Sequence, residues 1–199
     1  MSSAGLTPTT VPAADTENKN GWTSITSTFD GFGFLVAKAT VMDDGSTLSE
    51  TFFGPQRLSL TVTDTAANDA NWATRTTEWN WMGEKTSRTT NYDNGDQMIE
   101  KYDPVTGKRI ERVELDGNDD KPWSSLITTY DSTGQIRIGS EKVLDNGRIE
   151  TLSFDETTGI RTGRTIVDGA DDKSWHSKSF TYDATTGKLT ARELVGGDR

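Results

Sequence analysis

Four of the six tryptophans divide the chain into nearly equal lengths, and this regularity constrains the fold more than any other feature of the sequence. Their spacings are 50, 51 and 52 residues. Seven positions after each of them stands a second aromatic residue, which Asp or Asn follows directly. The tryptophans are Trp22, Trp72, Trp123 and Trp175, and the later pairs are Phe29-Asp30, Trp79-Asn80, Tyr130-Asp131 and Tyr182-Asp183. A fixed period of this length is typical of tandem structural repeats.

Two turn signals recur between these aromatic positions. One begins with an aromatic residue and Asp and ends with Gly, as in Tyr102–Gly107 and Phe154–Gly159, and the other is Asp-Asn-Gly, as in Asp145–Gly147. Asp accepts hydrogen bonds from the backbone of its own turn, and Gly adopts a positive φ without steric cost. Asn-Gly between two strands is the strongest short-range signal for a hairpin. The turns therefore predict antiparallel hairpins in series.

The segments between the turns have the length and composition of β-strands. They run for roughly 7–9 residues, they are rich in Thr with interspersed Ile, Val and Leu, and they have no helical periodicity. The sequence therefore predicts an all-β fold in which tandem antiparallel hairpins form an elongated or curling sheet of about fourteen strands, four in each unit of about 50 residues. The sequence does not distinguish an open solenoid from a closed, propeller-like arrangement. Hairpin signals are local, whereas closure depends on contacts between distant parts of the chain.

An N-terminal arm precedes the repeats. Residues 1–20 are small and polar, without periodicity, and we expect them to be extended. The predicted β-repeat domain covers residues 21–199, in units of about 21–70, 71–121, 122–173 and 174–199, so that the array holds three and a half copies. The half unit is one reason to expect an oligomer or a partner chain that completes the sheet.

Composition narrows the choice of partners. Only 31% of the residues are hydrophobic and the net charge is -10, so we expect a thin core to which the aromatic rings contribute most of the burial. The 21 basic residues are interleaved with 31 acidic ones, which disfavours nucleic acid. The sequence has no apolar run long enough for membrane insertion. It also has no cysteine, which excludes disulfides and thiolate metal sites.

The location predicted from the sequence is extracellular, or the surface of a cell or virion. Acidic chains rich in Thr, Gly and Asp are common outside cells, where a high net charge preserves solubility. Residues 1–20 have neither a basic region nor an apolar stretch, so they do not read as a Sec signal peptide. The expected export route is therefore non-classical or type I-like.

Catalysis is not expected. His176 is the only histidine, and it follows one of the periodic tryptophans directly, where other units have Thr23, Ala73 and Ser124. Nearly every Asp belongs to a turn that recurs, whereas Glu78 and Glu84 occur in one unit only and are the places to look for a glycosidase carboxylate. No phosphate-binding glycine motif is present. The sequence therefore predicts no enzyme and no organic cofactor.

Two Asp-rich loops are candidate sites for Ca²⁺, the one cofactor that the sequence suggests. Ca²⁺ takes six to eight oxygen ligands from flexible loops, and carboxylates so close together would otherwise repel one another. The alternative is a plain polar turn in which Asp binds its own backbone. The candidate ligands are Asp116, Asn118, Asp119 and Asp120 in the first loop and Asp168, Asp171 and Asp172 in the second.

Trp79 and Trp81 are the candidate contact surface for a ligand or partner. They flank Asn80, and if both lie on a strand they share one face. Flat aromatic faces along a sheet can stack on sugars. The alternative is that the periodic aromatic residues form a structural ladder that supplies the burial this aliphatic-poor chain needs.

The hairpins of the form Tyr-Asp-x-x-Thr-Gly resemble YD-repeat (Rhs-type) modules, whose strands form long curling antiparallel sheets. The fuller pattern, with an Asp-rich loop before Trp and Tyr-Asp after it, is similar to repeats near the ends of large secreted, RTX-like proteins of proteobacteria. The resemblance covers about residues 20–199 and implies an exported or surface-associated repeat protein without catalysis. The Gly-Gly-x-Gly-x-Asp nonapeptides of true RTX repeats are missing, so their Ca²⁺-bound β-roll is not implied.

The function predicted from the sequence is structural. We expect a non-enzymatic, Ca²⁺-stabilised β-repeat protein that assembles with itself or with another structural protein in a larger extracellular, surface or viral assembly. The alternative is a glycan-binding, adhesin-like module that uses the repeated aromatic residues.

Overall fold

A computed structural model describes residues 7–17, 19–65, 70–169 and 173–196 of the 199-residue chain. All the regular secondary structure in these ranges is β-strand, which confirms the all-β prediction. Within these ranges, fifteen antiparallel strands form one open sheet, and their order in the sheet is their order in the sequence, from β1 to β15. No helix in these ranges is long and apolar enough to cross a membrane.

The strands are six to eight residues long. They are β1 (Thr9–Ala14), β2 (Trp22–Phe29), β3 (Leu35–Met42), β4 (Thr47–Phe53), β5 (Gln56–Thr63), β6 (Trp72–Trp79), β7 (Lys85–Tyr92), β8 (Gln97–Tyr102), β9 (Arg109–Leu115), β10 (Trp123–Tyr130), β11 (Arg137–Leu144), β12 (Ile149–Phe154), β13 (Arg161–Val167), β14 (Trp175–Tyr182) and β15 (Leu189–Gly196). Each of the four periodic tryptophans begins a strand, and the aromatic residue seven positions later ends it.

Contacts divide the chain into two compact units. Unit 1 consists of Met1–Asp93 with Pro104–Gly107, and unit 2 of Asn94–Asp103 with Lys108–Arg199. Strands β1 to β7 belong to unit 1, and β8 to β15 belong to unit 2.

The register in unit 1 separates two kinds of surface. A central row runs across β2 to β7 through Thr26, Ala39, Ser49, Thr61, Thr76 and Thr89. Because side chains alternate along a strand, the residues two positions away share this face, and most of them are also Ser or Thr. The opposite face carries most of the charged strand side chains, including the cross-strand pair Lys38 and Glu50.

The described residues include no buried hydrophobic side chain. The buried residues are all polar or charged, among them Glu50, Thr90, Glu100, Asp131 and Asp168. The sequence predicts a thin core, and the structure goes further, because the aliphatic side chains of each unit remain partly open to solvent. Cross-strand contacts must therefore take over the stabilising role that a core has in a two-layer protein.

Buried glutamates and stacked guanidinium groups form these contacts in unit 1. Arg57 Nη1 donates to Glu50 Oε1 at 2.8 Å, and Lys38 Nζ lies 3.4 Å from the other carboxylate oxygen. The Arg57 guanidinium also lies over the Trp79 ring, 4.9 Å from its centre. One arginine thus joins a buried carboxylate to an aromatic ring on another strand, which combines an ion pair with a cation–π contact.

Unit 2 contains the same combination. Arg109 Nη1 donates to Glu100 Oε1 at 2.9 Å, and its guanidinium lies 4.3 Å from the centre of the Tyr130 ring. Arg137 over Phe154 and Arg161 over Tyr182 repeat the stacking at 4.0 and 4.1 Å. The strand-ending aromatic rings therefore act as platforms for arginines in both units.

The turns agree with their sequence signals. Asp131 Oδ1 accepts hydrogen bonds from the backbone N–H groups of Gln135 and Ile136, at 3.0 and 2.9 Å. Gly134 in the same turn has φ 73°, a conformation that residues with a side chain rarely adopt. The hydrogen bonds from Thr133 and from the turn backbone hold the pKa of Asp131 below its ordinary value.

Part of the N-terminal arm forms a strand. Strand β1 pairs antiparallel with β2 over its whole length, from Thr9 opposite Phe29 to Ala14 opposite Ser24. All six of its residues are exposed, and Pro12 fits there because β1 is an edge strand, where a missing N–H is tolerated.

Candidate functional site

The first predicted Ca²⁺ loop joins β9 to β10 in unit 2 and is organised by Asp116. The Asp116 side chain is only 1% exposed. Its Oδ2 accepts a hydrogen bond from the backbone N–H of Lys121 at 2.8 Å, and its own N–H donates to the carbonyl of Ser124 at 3.1 Å. This carboxylate therefore closes the loop on itself, as expected of a polar turn.

Lys121 places a positive charge among the loop carboxylates. Its ammonium contacts the Asp96 carboxylate and lies 3.5 Å from both Asp116 Oδ1 and Asp120 Oδ1. Asp96, Asp116 and Asp120 each offer an oxygen atom, and the three atoms lie within 4.8 Å of one another. An internal ammonium thus lies where the sequence suggests a metal ion.

The charges in this cluster shift one another's proton affinity. The hydrogen bond from Lys121 holds the pKa of Asp96 below its ordinary value, and the same bond, with Asp116 and Asp120, raises the pKa of Lys121. Burial, together with the charges of Asp119 and Asp116, raises the pKa of Asp145. The loop region is therefore acidic enough to attract a cation, and Lys121 is the cation that the chain itself provides.

The remaining predicted ligands of this loop lie outside the three-carboxylate cluster. Asn118 Oδ1 accepts a hydrogen bond from the backbone N–H of Asp120, and Asn118 Nδ2 donates to Asp120 Oδ2, both at 3.2 Å. Asp119 is exposed and has φ 58°. These two residues shape the turn, and the structure brings only Asp116 and Asp120 of the predicted set to the ammonium.

The second predicted loop follows β13. Asp168 is buried, its Oδ2 accepts a hydrogen bond from the backbone N–H of Lys173 at 2.7 Å, and its Oδ1 lies 3.8 Å from Arg148 Nε. It thus repeats the loop-closing role of Asp116. Asp171 and Asp172, the other two predicted ligands, lie outside the described residues.

Two features of this region were missing from the sequence prediction. Asp96 joins the cluster from the turn after β7, where its Oδ1 also accepts a hydrogen bond from the N–H of Gly117 at 3.2 Å. Lys121, the charge partner of these carboxylates, is the second feature. The spacing of five residues in Asp116–Lys121 and Asp168–Lys173 is a sequence signal that could have identified the loop-closing Asp, but it does not reveal Asp96, which is distant in sequence.

Glycines allow this loop to approach the neighbouring turn. A Cβ atom added to Gly117 would lie 1.9 Å from the carbonyl oxygen of Gly95, and one added to Gly169 would lie 2.0 Å from that of Gly147. No side chain fits at either distance. The Asp-Gly pairs at the start of the two loops are therefore needed for backbone contact as well as for turn formation.

The two predicted contact tryptophans have different environments in unit 1. Trp79 ends β6 and is half-buried beneath the Arg57 guanidinium. Trp81 lies in the turn after β6, beyond the strand, and is 69% exposed. The two rings therefore do not share a strand face, because β6 ends between them.

Trp81 belongs to a group of exposed apolar side chains on three turns of unit 1, which we call the apolar rim. Its members and their exposures are Phe32 81%, Phe34 61%, Phe53 68%, Trp81 69% and Met82 58%. A cleft of about 270 Å³ opens within it, lined by Asp30, Phe34, Val36, Phe52, Phe53 and Gly54.

The carboxylates considered for catalysis have local structural partners. Glu78 Oε2 accepts a hydrogen bond from Ser87 Oγ at 2.6 Å, and Glu84 Oε2 accepts one from Asn80 Nδ2 at 2.8 Å. His176 is exposed on β14. Each of these residues is accounted for by the strand or turn in which it lies.

No family model matches the chain, and no curated protein matches its sequence. The fold by itself defines the class, an all-β protein built on one open antiparallel sheet.

Proposed function

We propose that this chain is a non-enzymatic structural β-repeat protein that assembles with itself or within a larger extracellular, cell-surface or viral structure. The observation that carries the proposal is the lack of any buried hydrophobic side chain in the described residues. A sheet of this kind offers both faces and its turns for contact, and apolar side chains left in solvent are a driving force for association.

The proposal includes repeat units of four strands and about 50 residues. Two sets of equivalent residues support it. Each periodic tryptophan begins a strand, and each loop before one contains an Asp that accepts a backbone N–H four to six residues later: Asp15 from Lys19, Asp64 from Ala70, Asp116 from Lys121 and Asp168 from Lys173. On this view β1 holds the position of a fourth strand, directly before the first of these loops, and the likeness to YD-repeat modules is one of architecture.

The direct test is the solution mass of the full chain, measured by light scattering over a range of concentrations. A defined oligomer or a concentration-dependent increase in mass is expected. A strict monomer at every concentration would remove the basis for self-assembly and leave only assembly with other proteins.

Thermal melting tests Ca²⁺ stabilisation. A ligand that binds only the native state raises the melting temperature by mass action. A divalent ion would have to displace the Lys121 ammonium from Asp96 and Asp116. Addition of Ca²⁺ should therefore stabilise Lys121→Met more than the wild type, and equal melting curves with Ca²⁺ and with chelator for both proteins would exclude a stabilising ion in this loop.

Glycan binding is the second candidate, and the exposure of Trp81 favours it. A tryptophan ring that is 69% exposed at a turn can stack on a sugar face. Soluble polysaccharides should then change the tryptophan fluorescence of the wild type and leave that of Trp81→Ala unchanged. An unchanged wild-type spectrum across a glycan panel would argue against an adhesin-like role.

A further inference from the structure

The apolar rim lies at one end of the strands of unit 1. Phe32 and Phe34 lie in the turn between β2 and β3, Phe53 ends β4, and Trp81 and Met82 lie in the turn between β6 and β7. The first two turns meet in the cleft, which Phe34 and Phe53 both line. The second and third also adjoin each other, since a Cβ atom added to Gly83 would lie 2.8 Å from Gln56 Oε1. The rim is therefore one surface.

The fold does not require apolar residues at these turns. The turns of unit 2 after β10, β12 and β14 begin with a hydrogen-bonded Asp, as the unit 1 turn after β2 does with Asp30, but their central residues are small or polar, as in Ser132-Thr133, Glu156-Thr157 and Ala184-Thr185. Unit 2 shows that such turns form without exposed aromatic rings. The rim of unit 1 thus has a role other than turn formation.

We propose that the apolar rim is an interface between two copies of this chain, in which the Phe32 side chain of each copy enters the cleft of the other. This inference rests on the proposed self-assembly and names the surface that carries it. Phe32 is the most exposed side chain of the rim and lies two residues from Phe34, which lines the cleft. A projecting ring and a recess on the same surface are what a two-fold symmetric contact needs, because each copy supplies both parts.

The size of the rim agrees with this occupant. Four aromatic side chains of about 150–250 Å² each, exposed to roughly two thirds, supply on the order of 500 Å² of apolar surface. That is a large part of the about 800 Å² that each partner buries in an interface of standard size. The cleft has a volume of about 270 Å³, which is below the range of about 300–1,000 Å³ that is usual for small-molecule pockets. A cleft of this size is better suited to a single aromatic side chain.

The test compares Phe32→Ser with the wild type by light scattering across a dilution series, with thermal melting to verify the fold. Leu194→Ser, which changes an exposed apolar residue of unit 2, is the matched control. We expect Phe32→Ser to weaken dimerisation by roughly tenfold to a hundredfold, as the loss of a central interface side chain does. At low concentration, Phe32→Ser should melt at the same temperature as the wild type. Leu194→Ser should have the same mass as the wild type across the dilution series.

A label provides a second measurement, since the chain has no cysteine of its own. The emission of an environment-sensitive dye attached to Met82→Cys should shift to the blue as the protein concentration rises. The emission of the same dye on Thr133→Cys in unit 2 should not shift.

The outcomes separate this inference from the proposed function. A wild type that associates while Phe32→Ser associates equally well overturns the rim interface and leaves self-assembly in place. A wild type that stays monomeric overturns both the rim interface and self-assembly, and leaves only assembly with other proteins. Loss of binding to polysaccharide or lipid vesicles in Phe32→Ser, with an unchanged mass, would assign the rim to a different ligand and overturn the dimer.

Discussion

At the scale of single residues, polar atoms and glycines determine the geometry of the loops. Asp116 closes its loop through the N–H of Lys121, and Lys121 in turn contacts Asp96 on a different turn. Gly117 lets the loop backbone touch Gly95. Each contact depends on one polar atom or, at Gly117, on the lack of a Cβ atom. Single substitutions here should therefore have measurable effects that can be attributed to one contact.

Gly117→Ala should destabilise the protein by about 1–3 kcal/mol or more, because its Cβ would overlap the Gly95 carbonyl oxygen and force the two turns apart. Chemical denaturation of both variants is the measurement. Gly163→Ala is the control, since its added Cβ would lie 3.5 Å from the nearest atoms of Ser153, an ordinary contact. Equal stability of the two variants would mean that the turns do not touch in solution.

Asp96→Asn should lower the melting temperature at neutral pH and have little effect in acid. The pKa of Asp96 in the folded protein lies below its ordinary value of 3.8 because Lys121 donates to it. Its contribution to stability is therefore present above that value and is lost as the pH falls through the folded-state pKa. The melting curves of wild type and variant should differ at neutral pH and converge at strongly acidic pH.

Asp119→Asn is the control for the charge, because Asp119 is exposed in the same loop and its positive φ suits Asn. It should show no loss of stability at either pH. A difference between wild type and Asp96→Asn that persists in strong acid would contradict an electrostatic origin.

At the scale of strands and turns, the protein relies on cross-strand groups in which a buried glutamate, an arginine and an aromatic ring meet. Glu50, Arg57 and Trp79 form one such group, and they come from three different strands. Because no buried hydrophobic residue lies in the described chain, these contacts should contribute a larger share of the stability than similar contacts on an ordinary domain.

Arg57→Met should cost about 1–2 kcal/mol of unfolding free energy, since it removes a hydrogen bond to a nearly buried carboxylate and the stacking on Trp79. The loss stays this small because Arg57 is partly exposed and because Lys38 remains beside Glu50. Lys19→Met, which removes an exposed ion pair with Glu17, should change stability by less than about 0.5 kcal/mol. If both variants lose equally little unfolding free energy, the groups of glutamate, arginine and aromatic ring are not a main source of stability between the strands.

Much of this element-scale structure follows from the sequence, and the reason is that its signals are local. The aromatic-Asp-Gly and Asp-Asn-Gly turns fix where strands begin and end, and strand length follows. The partner of an arginine depends on register across three strands, so the stacking of Arg57 on Trp79 could not be predicted from spacing alone. For Trp81, the spacing is misleading. Its place two residues after Trp79 suggests that the two rings share a strand face, yet the strand ends at Trp79.

The loops show the same limit. The turn interpretation of Asp116 could be predicted, because an Asp can always accept hydrogen bonds from its own loop. The approach of Asp96 depends on how two turns meet after the sheet forms, and that contact brings the Lys121 ammonium to the place suggested for Ca²⁺.

At the scale of the whole molecule, the sheet should unfold with an unusually small change in heat capacity. Exposure of apolar surface raises the heat capacity, and ordinary domains gain about 12–15 cal/mol/K per residue on unfolding. Here the apolar side chains are already partly exposed, so calorimetry at low concentration should give a clearly lower value. An ordinary value would show that apolar surface is covered under those conditions, and dilution would then reveal whether another copy covers it.

Strand order in this sheet is identical to sequence order, and this has a consequence for how the chain acquires its structure. Each described strand after β1 lies beside the one made just before it, so none of them waits for a partner from a distant part of the sequence. Contacts of low sequence separation favour rapid folding. A chain that emerges end-first from a ribosome or a narrow pore can therefore add one hairpin at a time to a growing edge, with each finished strand as the template for the next.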